Sequence, residues 1–218
     1  AHYLAKAVHY WNPDWIPADA FLDSDDTHQV FYFTLGWLSL WLQPVALAWT
    51  GRLFCWGLMA WAWRRLSFAL LPRPWLAVLT AAAFVCFQSR FQLAGEWVVG
   101  GVEAKGFAYV LVLLGLESLV RGRWNRVWLL LGAAGAFHVL VGGWSVVAAA
   151  LAWCMSGRLG RSGGPGRLSN DRPEIRAMLP ALVGGFVLSL PGLLPAALLG
   201  RGVDAEVARL ANQIYVFG

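Results

Sequence analysis

The chain has 218 residues and a mass of 23.9 kDa, with 59 % hydrophobic and 13 % charged residues. Soluble globular domains carry about 25 % charge, and a mean hydropathy of +0.57 with 14 tryptophans points the same way. This composition excludes a soluble enzyme, a disordered protein and a disulfide-stapled secreted domain. The expected fold class is all-α, a polytopic transmembrane helix bundle with short re-entrant or broken helices. The net charge of +5 and a pI near 9.5 do not require nucleic acid as a partner, because arginine-loaded cytoplasmic loops account for them. Cys55, Cys86 and Cys154 lie in apolar runs without metal-ligand spacing and read as small packing residues.

In chain order, residues 1–28 read as a polar, aromatic outer loop with no membrane anchor ahead of it. With Ala at position 1 and a last residue that stops inside an apparent element, the chain reads as an internal fragment. Residues 29–63 form one apolar run interrupted by Pro44. The expected solution is an interfacial helix over 29–42 and a crossing helix over 45–65. Further apolar runs follow at 75–90, 106–120, 127–155 and 177–199, and a span needs roughly 20 apolar residues. Pro191 is expected to kink or split the last run, since it removes a backbone donor.

Charge orients these runs. Arg64, Arg65 and Arg73, then Arg121, Arg123 and Arg126, then Arg158, Arg161, Arg167, Arg172 and Arg176 place eleven of 17 basic residues in three segments. The positive-inside rule makes those segments cytoplasmic, including the Arg/Gly-rich loop near 156–176. Residues 1–28, 91–105 and an outer amphipathic segment at 200–218 hold nine of the twelve carboxylates. Charge sorting during insertion explains the arginines but not the acids, which contribute little to orientation. The run 127–155 begins and ends at basic clusters, yet its 29 residues make only about 43 Å of helix. It is expected to be a hairpin of two short helices broken around 138–143, with His138 near the outward tip. Irregular backbone at membrane depth survives only where protein or a water-filled cavity covers it.

The outer face carries the candidate chemistry. Asp23, Asp25, Asp26 and His28 precede a hydrophobic helix. Oxygen and imidazole ligands of this kind suit a divalent cation such as Mg or Mn, with Asp26 and His28 as the ligand pair. One carboxylate alternatively suits a general base, and Asp25 and Asp26 equally suit capping of the next helix. Asp19 stands farther out among apolar residues and is a less obvious cap. In segment 95–106, Glu96, Glu103 and Lys105 lie between two apolar runs. Backbone N–H groups and a lysine at a helix mouth suit an anionic group such as phosphate, whereas an exposed ion-paired loop would contribute little. His138 is the one histidine inside an apolar run, where packing and a cavity-lining role are both open. Glu117 and Arg121 are expected to pair at i,i+4. Arg52 either snorkels or meets a lipid phosphate. The loop 157–167 lacks the Gly-Lys-Ser/Thr ending of a phosphate loop and suits anionic headgroups instead.

An acidic first outer loop, many hydrophobic helices and short re-entrant helices resemble the GT-C superfamily of polyprenyl-phosphate-dependent glycosyltransferases. More closely, Gly100-Gly-Val-Glu103-Ala-Lys105-Gly-Phe-Ala-Tyr109, with Gly132, Phe137-His138 and Gly143-Trp144, is similar to a bacterial family of multi-pass membrane proteins related to that superfamily and without an assigned activity. The resemblance implies the bacterial inner membrane and a donor sugar carried on a polyprenyl phosphate. It places acceptor activation on Asp19 or Asp26, and the lipid-linked phosphate near Lys105 and Arg90. The residues themselves add His28 to the catalytic candidates and Glu96, Glu103 and His138 to the substrate-binding ones. The leading expectation is therefore a GT-C-like transferase acting on the outer face. The alternative is a transporter or lipid-binding protein that uses the same cavity, since broken helices and intramembrane ionisable groups suit transport equally.

Overall fold

The computed structural model describes residues 2–90, 99–159, 173–199 and 201, together with 205–206, 209–210 and 213. Among the described residues the chain is all-helical. The elements are α1 (His2–Trp11), α2 (Gln29–Leu35), a 3-10 turn (Gly36–Leu40), α3 (Pro44–Leu70), α4 (Pro74–Arg90), α5 (Ala104–Val120), α6 (Trp124–Phe137), α7 (Val139–Leu159) and α8 (Ile175–Leu198).

The first difference from the sequence reading is α1, where a loop was expected. Tyr3, Lys6, Ala7 and Val8 are buried, the i, i+3, i+4 pattern of an amphipathic helix. The helix lies over the 3-10 turn so closely that a Cβ on Gly36 would meet the Ala7 carbonyl oxygen at 2.8 Å. Residues 12–28 then form the turn-rich segment expected of an outer loop. Within it Ile16 and Ala18 adopt φ of 58° and 60°, a conformation that costs a β-branched residue most.

The stretch 29–42, expected as one interfacial helix, holds the short α2 and the 3-10 turn. Pro44 opens α3 at its first turn, where its fixed φ and missing N–H carry no penalty. α3 runs 27 residues, longer than the crossing helix expected over 45–65, and turns Leu47, Gly51, Cys55, Met59 and Ala62 inward. Its other faces expose Trp49, Leu53, Phe54 and Trp61, so the helix is apolar nearly all round, as a lipid-facing helix would be.

α6 ends at His138, whose φ of −150° and ψ of 105° are extended, and α7 begins at once. The expected break is therefore present but confined to His138, with Gly142 and Gly143 inside α7. α6 packs most extensively on α8. Glycines permit this, because a Cβ on Gly132 would lie 2.0 Å from the Gly185 oxygen and one on Gly142 would lie 2.3 Å from the Gly135 backbone. α8 is not split at Pro191: it runs through Pro180, Pro191 and Pro195 as one helix. Gly192 seats against the Gly135 carbonyl oxygen, 2.4 Å from an added Cβ, so the segment around Pro191 is held against α6.

Two helices, α7 over Val139–Ser156 and α8 over Ile175–Leu198, are long and apolar enough to cross a membrane, and only 11 % and 28 % of these windows are buried. Large exposed apolar surface of this kind is unusual on a soluble monomer. α4, α5 and α6 have 17, 17 and 14 residues, or about 26, 26 and 21 Å of helix, short of a 30 Å hydrocarbon layer.

Candidate functional site

One core cluster ties the N-terminal segment to the helices. Tyr3 and Ala7 from α1, Phe31, Tyr32 and Leu35 from α2, Cys55 from α3, and Val102, Ala104 and Phe107 around the start of α5 pack together. Phe107 in turn stacks on Phe137, the last residue of α6, with ring centroids 5.6 Å apart. This packing carries three remote pieces of sequence to one end of the molecule.

Asp26 is the centre of the polar groups there. Its Oδ1 lies 2.5 Å from His28 Nδ1 and accepts the backbone N–H groups of Thr27 and His28 at 2.6 and 3.2 Å. Its Oδ2 accepts the Tyr32 hydroxyl and lies 3.9 Å from Lys6 Nζ. Burial pushes the Asp26 carboxyl up, but hydrogen bonds from His28 and Tyr32 and the nearby Lys6 charge outweigh it and hold the group well below the usual carboxylate range. Burial and the adjacent Asp26 carboxylate raise the Tyr32 phenol above its ordinary value. Asp26 is thus ionised and Tyr32 protonated, each fixing the other.

The His28 ring is held on three sides. Asp26 takes Nδ1, Tyr3 meets the ring edge-on at 4.6 Å, and the His138 ring lies 5.4 Å away. With Asp26 ionised, the proton belongs on Nδ1, and Nε2 is the ring atom left to accept one. An Asp–His pair of this form orients a general base. The α6–α7 break delivers His138 to it, since His138 sits where the helix ends.

A second pair supports the first. His9 Nε2 lies 2.8 Å from Asp23 Oδ1 and Nδ1 lies 2.9 Å from the Trp15 carbonyl oxygen. The Trp15 carbonyl, then Asp23, raises the His9 pKa above its usual value. Lys6 Nζ donates to Ser24 O and Oγ at 2.9 and 2.8 Å, which ties α1 to the segment that carries Asp26.

Two clefts meet at Asp25 and Asp26. One, of about 330 Å³, lies over Lys6, His9, Asp23 and Tyr32. The other, of about 350 Å³, has Asp25, Asp26 and Gln29 on one wall and Leu194, Pro195, Leu198 and Leu199 from the end of α8 on the other. A carboxylate wall facing an apolar wall suits an amphipathic ligand.

The remaining candidates fall as follows. Asp19 Oδ1 accepts the backbone N–H groups of Phe21 and Leu22 at 2.9 and 3.0 Å. This is a local turn contact, and it does not bring Asp19 to Asp26. Asp26 itself is no simple helix cap: His28 occupies the N-cap position of α2 without a side-chain cap bond. Glu103 is the buried N-cap residue of α5, and Lys105 is half-buried in the first turn beyond it. Arg90 is exposed at the end of α4, a helix that packs chiefly on α3. Glu96 lies outside the described residues, as do 160–172 of the basic loop and most of 202–218. Arg52 stacks its guanidinium on Trp49, 5.2 Å from the ring centroid.

Asp26 and His28 meet each other directly across 2.5 Å, and both Asp26 oxygens are engaged by hydrogen bonds. Among the described residues no group of three or more His, Cys, Asp or Glu side chains is placed to hold a metal. Lys6, His9, Tyr3 and Tyr32 escaped the sequence reading. The signal for the first three was their spacing on an amphipathic turn of α1, hidden by reading residues 1–28 as loop.

Comparison with protein-family models, with curated proteins and with solved structures found no match.

Proposed function

We propose that the chain is part of a multi-pass membrane protein whose outer face transfers a sugar from a polyprenyl-phosphate donor to a hydroxyl acceptor. The observation that carries the reading is the Asp26–His28 pair beside a cleft with one carboxylate wall and one apolar wall. The apolar wall from α8 would receive the isoprenoid, and the polar wall would face the sugar and acceptor. The acceptor oxygen attacks the anomeric carbon, and its proton passes to His28 Nε2. The bond from that carbon to the phosphate oxygen breaks, and the polyprenyl phosphate leaves with the electron pair. Asp26 holds the His28 tautomer and stabilises the imidazolium that forms. Lys105, at the start of α5, is the basic group proposed for the leaving phosphate.

The test uses the full-length protein in proteoliposomes with a radiolabelled polyprenyl-phosphate sugar. Transfer by the wild type, lost in His28→Gln and in Asp26→Asn, supports the reading. Tight binding of the labelled lipid with no turnover in any acceptor mixture overturns it in favour of a lipid-binding protein.

A further inference from the structure

Residues of α3 from Ala60 to Phe68 and of α4 from Pro74 to Cys86 line a cleft of about 800 Å³, and none of them lines the clefts at Asp26. Trp63 and Phe68 wall it on α3, and Ala77, Ala81 and Val85 wall it on α4. Alanines one turn apart, at 77 and 81, leave room that larger side chains would fill. The lining is apolar except for Arg64. Arg64 lines it with its guanidinium 5.3 Å from the Phe68 ring centroid, and Arg73 stands exposed at the turn into α4.

These two arginines differ from their neighbour Arg65, which reaches Glu117 at 3.1 Å. Among the described residues neither Arg64 nor Arg73 has a carboxylate partner. Trp75, the second residue of α4, is 80 % exposed beside Arg73, and tryptophan marks the headgroup level of a bilayer. An apolar slot that rises to unpaired cations at headgroup depth has the shape and charge of one ligand class.

We propose that this cleft binds an anionic phospholipid of the cytoplasmic leaflet, one acyl chain along α4 and the headgroup at Arg64 and Arg73. The proposal rests on α3 and α4 lying in a membrane and is independent of glycosyl transfer. Juxtamembrane arginines contribute roughly a few-fold each towards anionic lipid, so the pair should give about a tenfold preference.

Delipidated full-length protein in mild detergent would be titrated with phosphatidylglycerol and with phosphatidylcholine, and bound lipid counted by native mass spectrometry. The expected result is about tenfold tighter retention of phosphatidylglycerol. Arg64→Gln with Arg73→Gln should abolish the preference and spare phosphatidylcholine binding, while Ala81→Leu should weaken both. Equal retention of the two lipids by the wild type, or an unchanged preference in the double variant, overturns the proposal. So does a cysteine at Val85 that cross-links to a second copy, which would make the cleft a protein interface. Release of the wild-type protein from membranes by alkaline carbonate would instead overturn the membrane placement itself.

Discussion

The imidazole of His138 meets that of His28 with ring centroids 5.4 Å apart and planes tilted by 53°. One ring stands at the junction of α6 and α7, the other at the entrance to α2. Substitutions at Asp26, His28 and His138 should therefore act on one process. If His28 takes the acceptor proton, His28→Gln should lower transfer about a hundredfold or more. Asp26→Asn should fall comparably by releasing the tautomer, and His138→Asn should lose less. Initial rates at saturating donor would show the order, and equal loss at all three sites would contradict it.

The two acidic and imidazole pairs predict opposite pH behaviour. The Asp26 pKa is lowered from 3.8, so its stabilisation is complete above that value and is lost as pH falls below it. The His9 pKa is raised from 6.5, so its stabilisation is complete below 6.5 and is lost as pH rises through the raised value. The protection factors of the α1 amides, exchange rates referred to the intrinsic rate at each pH, should accordingly fall from pH 6 to pH 8.5. His9→Gln should flatten that slope, and Asp23→Asn should weaken α1 docking by about 1 kcal/mol.

Glycine contacts between α6 and its neighbours set the helix spacing. Gly132→Ala would force a methyl to 2.0 Å from the Gly185 oxygen and should cost about 3 kcal/mol or more by overpacking. Gly143 has nothing within 4 Å of an added Cβ, so Gly143→Ala should be neutral or stabilise by up to about 1 kcal/mol. Thermal unfolding in detergent separates the two.

Glu117 is fully buried, with Arg121 Nε at 2.5 Å and Arg65 at 3.1 Å from Oε1, while both arginine side chains are partly exposed. Removing one arginine leaves the other as counter-charge and should cost about 1 kcal/mol. Removing both strands a buried carboxylate and should cost about 3–5 kcal/mol. A double-mutant cycle on Arg65→Gln and Arg121→Gln should thus be strongly non-additive, and an additive result would contradict the shared carboxylate.

Several elements could be read directly from residue order. Pro44 opens α3 because its fixed φ and missing N–H carry no penalty in a first helical turn. The arithmetic of 127–155 demanded a break, and His138 supplies it. Glu117 and Arg121 announce themselves by spacing, whereas Arg65 joins them only because α3 packs on α5. α1 was missed because its polar groups, Lys6 and His9, are buried by contact with Ser24, Trp15 and Asp23, so its inner face does not look apolar.

Composition and charge order by themselves determined an all-helical, largely apolar chain with acidic and basic segments kept apart, because helix period and burial cost act locally along the chain. Which carboxylate matters was decided by tertiary structure alone. Asp19 and Asp26 are equivalent as letters, but Asp19 is satisfied by its own turn, while Asp26 faces His28, Tyr32 and Lys6. That difference follows from the packing of Tyr3, Phe31 and Phe107 in one cluster, a long-range contact set that no local pattern encodes.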